Sequence, residues 1–138
     1  MNIHDALKAA AVDCAAELDL PLGWEGEVFT TPAGPHLKGR IVYDKEEAAS
    51  LGANGLTRTE GALLLTVALF AGGDGAESVA VSLARAVGRC FPRGRGIEAA
   101  AGEIVFGTPT VTNTDMDGAR IRVTARLPFY AILEGVSA

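Results

Sequence analysis

Histidine and cysteine are scarce in this sequence, two of each in 138 residues, and the scarcity removes whole classes of chemistry. Neither His4 nor His36 has a cysteine or carboxylate at a metal-ligand spacing, so a zinc site has nothing to be built from. Asp115-Met116-Asp117-Gly118 opens like a calcium loop but has no glutamate at the closing position, and it reads as a hairpin turn. Cys14 and Cys90 fall on the apolar stripes of two segments with helical periodicity, away from the exposed electropositive setting of a reactive thiolate. They read as reduced, buried thiols, with a disulfide joining the two helices as the minor alternative. Ser50, Ser78, Ser82 and Ser137 lie outside any Gly-x-Ser-x-Gly elbow. With no catalytic constellation, the chain is expected not to be an enzyme and to need no cofactor.

Other shortages narrow the class. No apolar run approaches the ~18 residues of a membrane-spanning helix. Polar residues are spread through Met1 to Leu18, unlike the continuous apolar block of a signal peptide. Basic residues number 12 against 17 acidic, for a net charge of −5, which argues against a dedicated nucleic-acid binder. What the chain does have is apolar content, at 49% of residues. That is enough for one cytoplasmic domain, residues 1–138, with a real core.

The organising stretch is Gly61 to Phe91. Gly61-Ala62-Leu63-Leu64-Leu65-Thr66-Val67-Ala68-Leu69-Phe70 reads as a strand buried on both faces. Gly72-Gly73-Asp74-Gly75 breaks it. A helix follows from Ala76 to Phe91, with Val79, Leu83, Ala86, Val87 and Cys90 on one stripe, Asp74 as its cap and Glu77 completing a capping-box-like start. The glycine turn sits where a phosphate-cradling loop would, but it lacks the Lys and Ser/Thr of such loops, and Asp74 would repel the anion. It reads as a tight strand-to-helix turn.

Before this unit, Ile3 to Asp19 is an amphipathic helix, stopped by Leu20-Pro21-Leu22-Gly23. Glu27-Val28-Phe29 is a candidate short strand, and Leu37 to Tyr43 alternates as a half-buried one. Asp44 to Thr59 loses periodicity and reads as a long charged loop. After the unit, Gly96 to Ala100 and Glu103 to Thr112 are strand candidates. Asn113 to Gly118 is a turn, expected to be longer than the two-residue hairpin type. Ala119 to Ile132 alternates cleanly, with Ile121, Val123, Ala125, Leu127 and Phe129 inward and Arg120, Arg122, Thr124 and Arg126 outward. The expected fold is α+β: a mostly antiparallel mixed sheet with two helices packed on one face, in the order α-β-β-β-α-β-β.

Arginine placement is the remaining signal. Arg85, Arg89, Arg93 and Arg95 cluster at the end of the second helix and its loop, while Arg120, Arg122 and Arg126 decorate the last strand. Each of them can simply complement a helix dipole or solubilise a strand. As a group they suit acidic surfaces of neighbouring subunits, or DNA in a channel. Arg93 and Arg95 are expected on an exposed loop, where a change to Glu costs the core nothing.

The order of these pieces resembles a known family. Phe29-Thr30-Thr31-Pro32-Ala33-Gly34 precedes a basic strand and a charged loop ending in Thr57-Arg58-Thr59-Glu60-Gly61. The long apolar strand, the glycine turn, a helix ending in Arg89-Cys90-Phe91-Pro92-Arg93-Gly94 and the strand Ile104-Val105-Phe106-Gly107-Thr108-Pro109 follow. From Ala6 to Ile132 this resembles the tail-terminator (minor tail) proteins of long-tailed bacteriophages and prophages, the lambda-type group. Phe91-Pro92-Arg93-Gly94 fits that family's Phe-x-x-Gly helix end. Ala71-Gly72-Gly73-Asp74-Gly75 lacks the proline of its usual glycine turn.

The resemblance implies a structural virion assembly protein. Such a protein is monomeric or weakly associating in isolation, forms a homohexameric ring on the last ring of the major tail tube protein, stops tube polymerisation and offers a head–tail joining surface to a head-completion protein. DNA would pass through the ring unread, and no membrane is involved. The setting would be the virion tail, and the host cytoplasm during assembly. Arg58, Arg85, Arg89, Arg93, Arg95, Arg120, Arg122 and Arg126 are then the expected subunit or tail-tube contacts. The alternatives are a neck or tail-completion protein, or a small ligand-binding α+β domain using the Gly72–Gly75 turn.

Overall fold

The spine of the fold is β3 (Thr57–Phe70), whose Leu63, Leu65, Val67 and Leu69 alternate onto one buried face. A computed structural model describes residues 2–48, 57–72, 75–100 and 102–133. Antiparallel partners flank β3 along its length: β2 (His36–Ala48) on one side and β8 (Arg120–Leu133) on the other. The registers Leu37↔Val67↔Val123, Gly39↔Leu65↔Ala125 and Ile41↔Leu63↔Leu127 place one row of inward side chains across three strands. β1 (Leu22–Trp24) extends the sheet in parallel beside β2. Beyond β8 lie β5 (Gly102–Phe106) and then β4 (Gly96–Ala99). Further along the edge of β8 come β6 (Thr110–Val111) and β7 (Asp115–Asp117), making an eight-stranded sheet.

Two helices, α1 (Ile3–Glu17) and α2 (Ala76–Cys90), pack on the inward face. The α+β class and the expected element order therefore hold, with extra short strands at the edges. α1 starts on Asn2, whose side chain accepts a hydrogen bond from the Asp5 amide at 2.8 Å, and stops at Leu18 ahead of Asp19, at φ +55°. It docks almost wholly through small residues: Ala6, Ala10, Ala11, Cys14 and Ala15, with Leu7 the large exception.

α2 differs from expectation in phase. Its buried line is Ala80, Ala84, Val87 and Gly88, continued by fully buried Phe91, while Val79 is exposed at 47%. Leu83, Ala86 and Cys90 are half-buried on the flank. The inward rows of β3 and β8 already carry Leu, Val and Ile. Small α2 residues let the helix axis come close to them, and the bulkier residues fill the sides. The helix begins at Gly75, φ +82°, with no side-chain cap; Asp74, the expected cap, lies outside the described residues.

Three strand expectations are corrected. Glu27–Phe29 is not a strand. The chain turns there, with Gly26 at φ +85° and the Glu27 amide bonded to the Trp24 carbonyl at 3.0 Å. Phe29 instead covers Gly23, where a Cβ would lie 2.5 Å from its ring. The described ends of the 44–59 segment, 44–48 and 57–59, are strand rather than loop, because β2 and β3 run on as a long hairpin to Ala48 and from Thr57. Its end, 49–56, lies outside the described residues. The register shifts between Tyr43 and Lys45, leaving Asp44 as the extra residue of a bulge. This bulge breaks the two-residue alternation that made the segment look irregular. Finally, Asp117 pairs with Arg120, so the hairpin closes on the two residues Gly118-Ala119. Gly118 takes φ +60° at the first turn position, which glycine allows at no steric cost.

Candidate interaction surfaces

The helices cover one face of the sheet and leave the other open. On that outer face the strand register groups Arg120, Arg122 and Arg126 along β8 and places Arg58 on the same face at the far end, opposite Ile132; these are four of the eight expected contact arginines. None of the four stands alone. Arg122 reaches Asp115 at 2.5 Å and Asp117 at 3.7 Å, and Arg126 lies 3.4 Å from the bulged Asp44. Arg58 pairs with Glu60 at 2.8 Å and stacks over Tyr130, 4.6 Å from the ring centre. Arg120 stacks over Phe70 at the same distance of 4.6 Å.

Between these groups runs a shallow polar trough bounded by Glu25, Arg40, Asn113 and Arg122. Its floor is Thr66 and Thr124, whose hydroxyls are 2.8 Å apart. Thr112 closes the floor by accepting from the Thr124 amide at 3.1 Å. The hydrogen bond from Arg122 pulls the Asp115 carboxyl below the usual carboxylate range. Arg122 Nε is buried with no hydrogen-bond partner among the described residues.

The acidic partners Asp44, Asp115 and Asp117 escaped sequence reasoning. The signal for the latter two was Asp117-Gly118: read as a two-residue hairpin, it sets Asp115 opposite Arg122 and Asp117 opposite Arg120. The bulge that delivers Asp44 had no comparable local mark.

The second arginine group divides. Arg85 and Arg89 stand one turn apart on the exposed side of α2, and Arg93 follows in the loop; none has an ion pair among the described residues. Arg95 does not belong with them. It turns inward, donates to the Cys90 carbonyl and lies over the Phe91 ring at 5.3 Å. Its backbone also carries the loop, with the Phe106 amide bonded to the Arg95 carbonyl at 2.9 Å. The expectation that Arg95 is a freely exposed loop residue is therefore corrected: it closes the C-terminus of α2, where a cation offsets the unpaired carbonyls.

The remaining sequence candidates are structural. His36 is 1% exposed, with Nδ1 3.1 Å from the Gly34 carbonyl and its ring against Phe29. Among the described residues no cluster of three His, Cys, Asp or Glu side chains is arranged to hold a metal, and no helix is long and apolar enough to cross a membrane. Gly73 and Asp74 of the glycine turn lie outside the described residues.

Comparison with known proteins adds the family context. A sequence profile for a phage tail terminator protein matches residues 2–129. Eight solved chains match the fold. One of them superimposes with a TM-score of 0.69 over 94% of each chain at 19% identity, a likeness of fold. No curated protein matches the sequence.

Proposed function

This chain belongs to the phage tail terminator family, and from that membership we propose that it caps the tail tube as a ring of six copies. Membership makes it a structural component of phage tail assembly, located in the virion tail and in contact with other tail components. On the finer reading, the ring seats on the last layer of tube protein and ends polymerisation. Its opposite side then meets the head-completion protein, and DNA passes through the centre unread. Assembly takes place in the host cytoplasm. The observation that carries this reading is the family match across residues 2–129, nearly the whole described fold.

The surfaces support a division of labour. A closed ring needs heterologous contacts, in which one patch meets a different patch on the next copy. Arg85, Arg89 and Arg93 form a basic stripe without an ion pair among the described residues, suited to an acidic patch on a neighbour or on the tube. The outer-face arginines already satisfy one another's acids and aromatics, so they contribute shape more than free charge.

The test is the solution mass over a concentration series, with imaging of the largest species and a parallel assay on purified tail tubes. Rings of six with an open centre, alone or templated on tubes, are the expected result. A compact monomer at every concentration that also leaves tube length and tube ends unchanged would overturn the proposal.

A further inference from the structure

The two thiols meet across the interface between the helices. Cys14 projects from the buried face of α1 and Cys90 is the last residue of α2. The Cys14 Sγ lies 2.7 Å from the Cys90 Sγ, 76 residues away in sequence. Among the described residues the other partners of Cys90 Sγ are more distant, the Ala86 carbonyl at 3.6 Å and a Glu17 carboxylate oxygen at 4.0 Å. Cys14 is 2% exposed, whereas Cys90 is half-buried and open on one side.

From this juxtaposition we propose that Cys14 and Cys90 are a disulfide-forming pair that staples α1 to α2 when the protein meets an oxidising small-molecule disulfide of the glutathione class. The more exposed sulfur reacts first. The Cys90 thiolate attacks the small disulfide, forming a mixed disulfide and releasing one small thiolate, while its own proton goes to solvent. Cys14 then loses its proton and attacks the Cys90 sulfur, displacing the second small thiolate, which takes up a proton. Two protein thiols are oxidised to one disulfide, and one small disulfide is reduced to two thiols. Burial, reinforced by the neighbouring Cys90 thiol and the Glu17 carboxylate and only partly offset by the Arg95 cation, holds the Cys14 thiol far above the ordinary cysteine range. The second step is therefore the slow one and quickens as pH rises.

The staple has a mechanical purpose in this fold. α1 is held by a row of alanines and one leucine, so each contact removes little apolar area from water. A covalent tie to α2 secures a helix whose docking face is built mainly from small side chains. In the assembly setting proposed above, the pair stays reduced in the cytoplasm and closes after the particle is released into an oxidising medium.

The test equilibrates the purified protein over a series of reduced-to-oxidised glutathione ratios. Remaining thiols are then alkylated and the intact mass is read after denaturation. The expected product is a monomer lighter by two hydrogens and carrying no alkyl groups, with a melting temperature raised by roughly 5–15 °C over the reduced protein. Cys90→Ser should match the reduced wild type in melting temperature and show no shift on oxidation, which separates loss of the bond from loss of the fold. Two alkyl groups at every ratio, glutathione retained on Cys90, or disulfide-linked dimers would each overturn the proposal.

Discussion

At the scale of single residues, the outer face is an arrangement of charges that have mostly found each other. Asp115 is the clearest case, a solvent-exposed carboxylate whose pKa is depressed first by the side-chain hydrogen bond from Arg122 and then by the Met116 amide. A group with a lowered folded pKa binds protons less readily when folded than when unfolded. Its stabilising contribution is present above the ordinary carboxylate pKa and is lost as pH falls through the folded value. Because Asp115 is exposed, solvent screening keeps the effect small. The titration of its carboxyl carbon by NMR should therefore show a midpoint below the usual aspartate value. Arg122→Met should move that midpoint up toward the ordinary range; an unmoved midpoint would mean that Arg122 is not the cause. The same residues show where sequence reading stopped. Alternation along β8 placed Arg120, Arg122 and Arg126 outward correctly, but what they meet depends on partners brought by a hairpin and a bulge.

At the scale of elements, the bulge in β2 organises the long hairpin. Asp44 is inserted between the Tyr43↔Gly61 and Lys45↔Glu60 pairs, and beside it the Val42 carbonyl comes so close that a Cβ on Gly61 would lie 2.1 Å from it. The ring of Phe129 and the Tyr43 Cα crowd the same position at 3.1 and 3.2 Å. Backbone on one side and a buried ring on the other cannot both yield. Gly61→Ala should therefore destabilise the fold by about 2–4 kcal/mol in urea unfolding. Gly34→Ala, where nothing lies within 4 Å, should stay within about 0.5 kcal/mol of wild type. Equal effects at the two sites would remove the bulge as the reason for Gly61. Much of the element plan was legible because it rests on local periodicity: α1, the core of β3, β4, β5 and β8 all declare themselves within a few residues. The extension of β2 to Ala48 did not, since a bulge shifts the side-chain phase. Nor did the face of α2, whose buried alanines carry a weaker apolar signal than the exposed Val79 beside them.

At the scale of the whole molecule, family membership gives the chain its place in the tail, and the surface decides how it can be used there. The two arginine groups, alike in sequence, differ in what they are free to do, and mutation should separate them. Arg85 and Arg93 lie on the exposed side of α2 and its loop without ion pairs among the described residues. Reversing both to Glu should leave stability within about 0.5 kcal/mol of wild type, yet abolish ring formation or tube capping. Arg126→Glu should act in the opposite way. Placed 3.4 Å from Asp44, it exchanges a partly exposed attraction for a repulsion, costing up to about 1 kcal/mol of stability, with assembly otherwise retained. Arg95→Glu should be the worst for folding, because it sets a negative charge against the Cys90 carbonyl at the end of α2 and removes the cation over Phe91. The expected loss is about 2 kcal/mol. Thermal melting and the tube-capping assay, run on the three variants together, give the separation. If the Arg85 and Arg93 reversal caps tubes as well as wild type, the basic stripe of α2 is a solvated helix face and the ring is joined elsewhere.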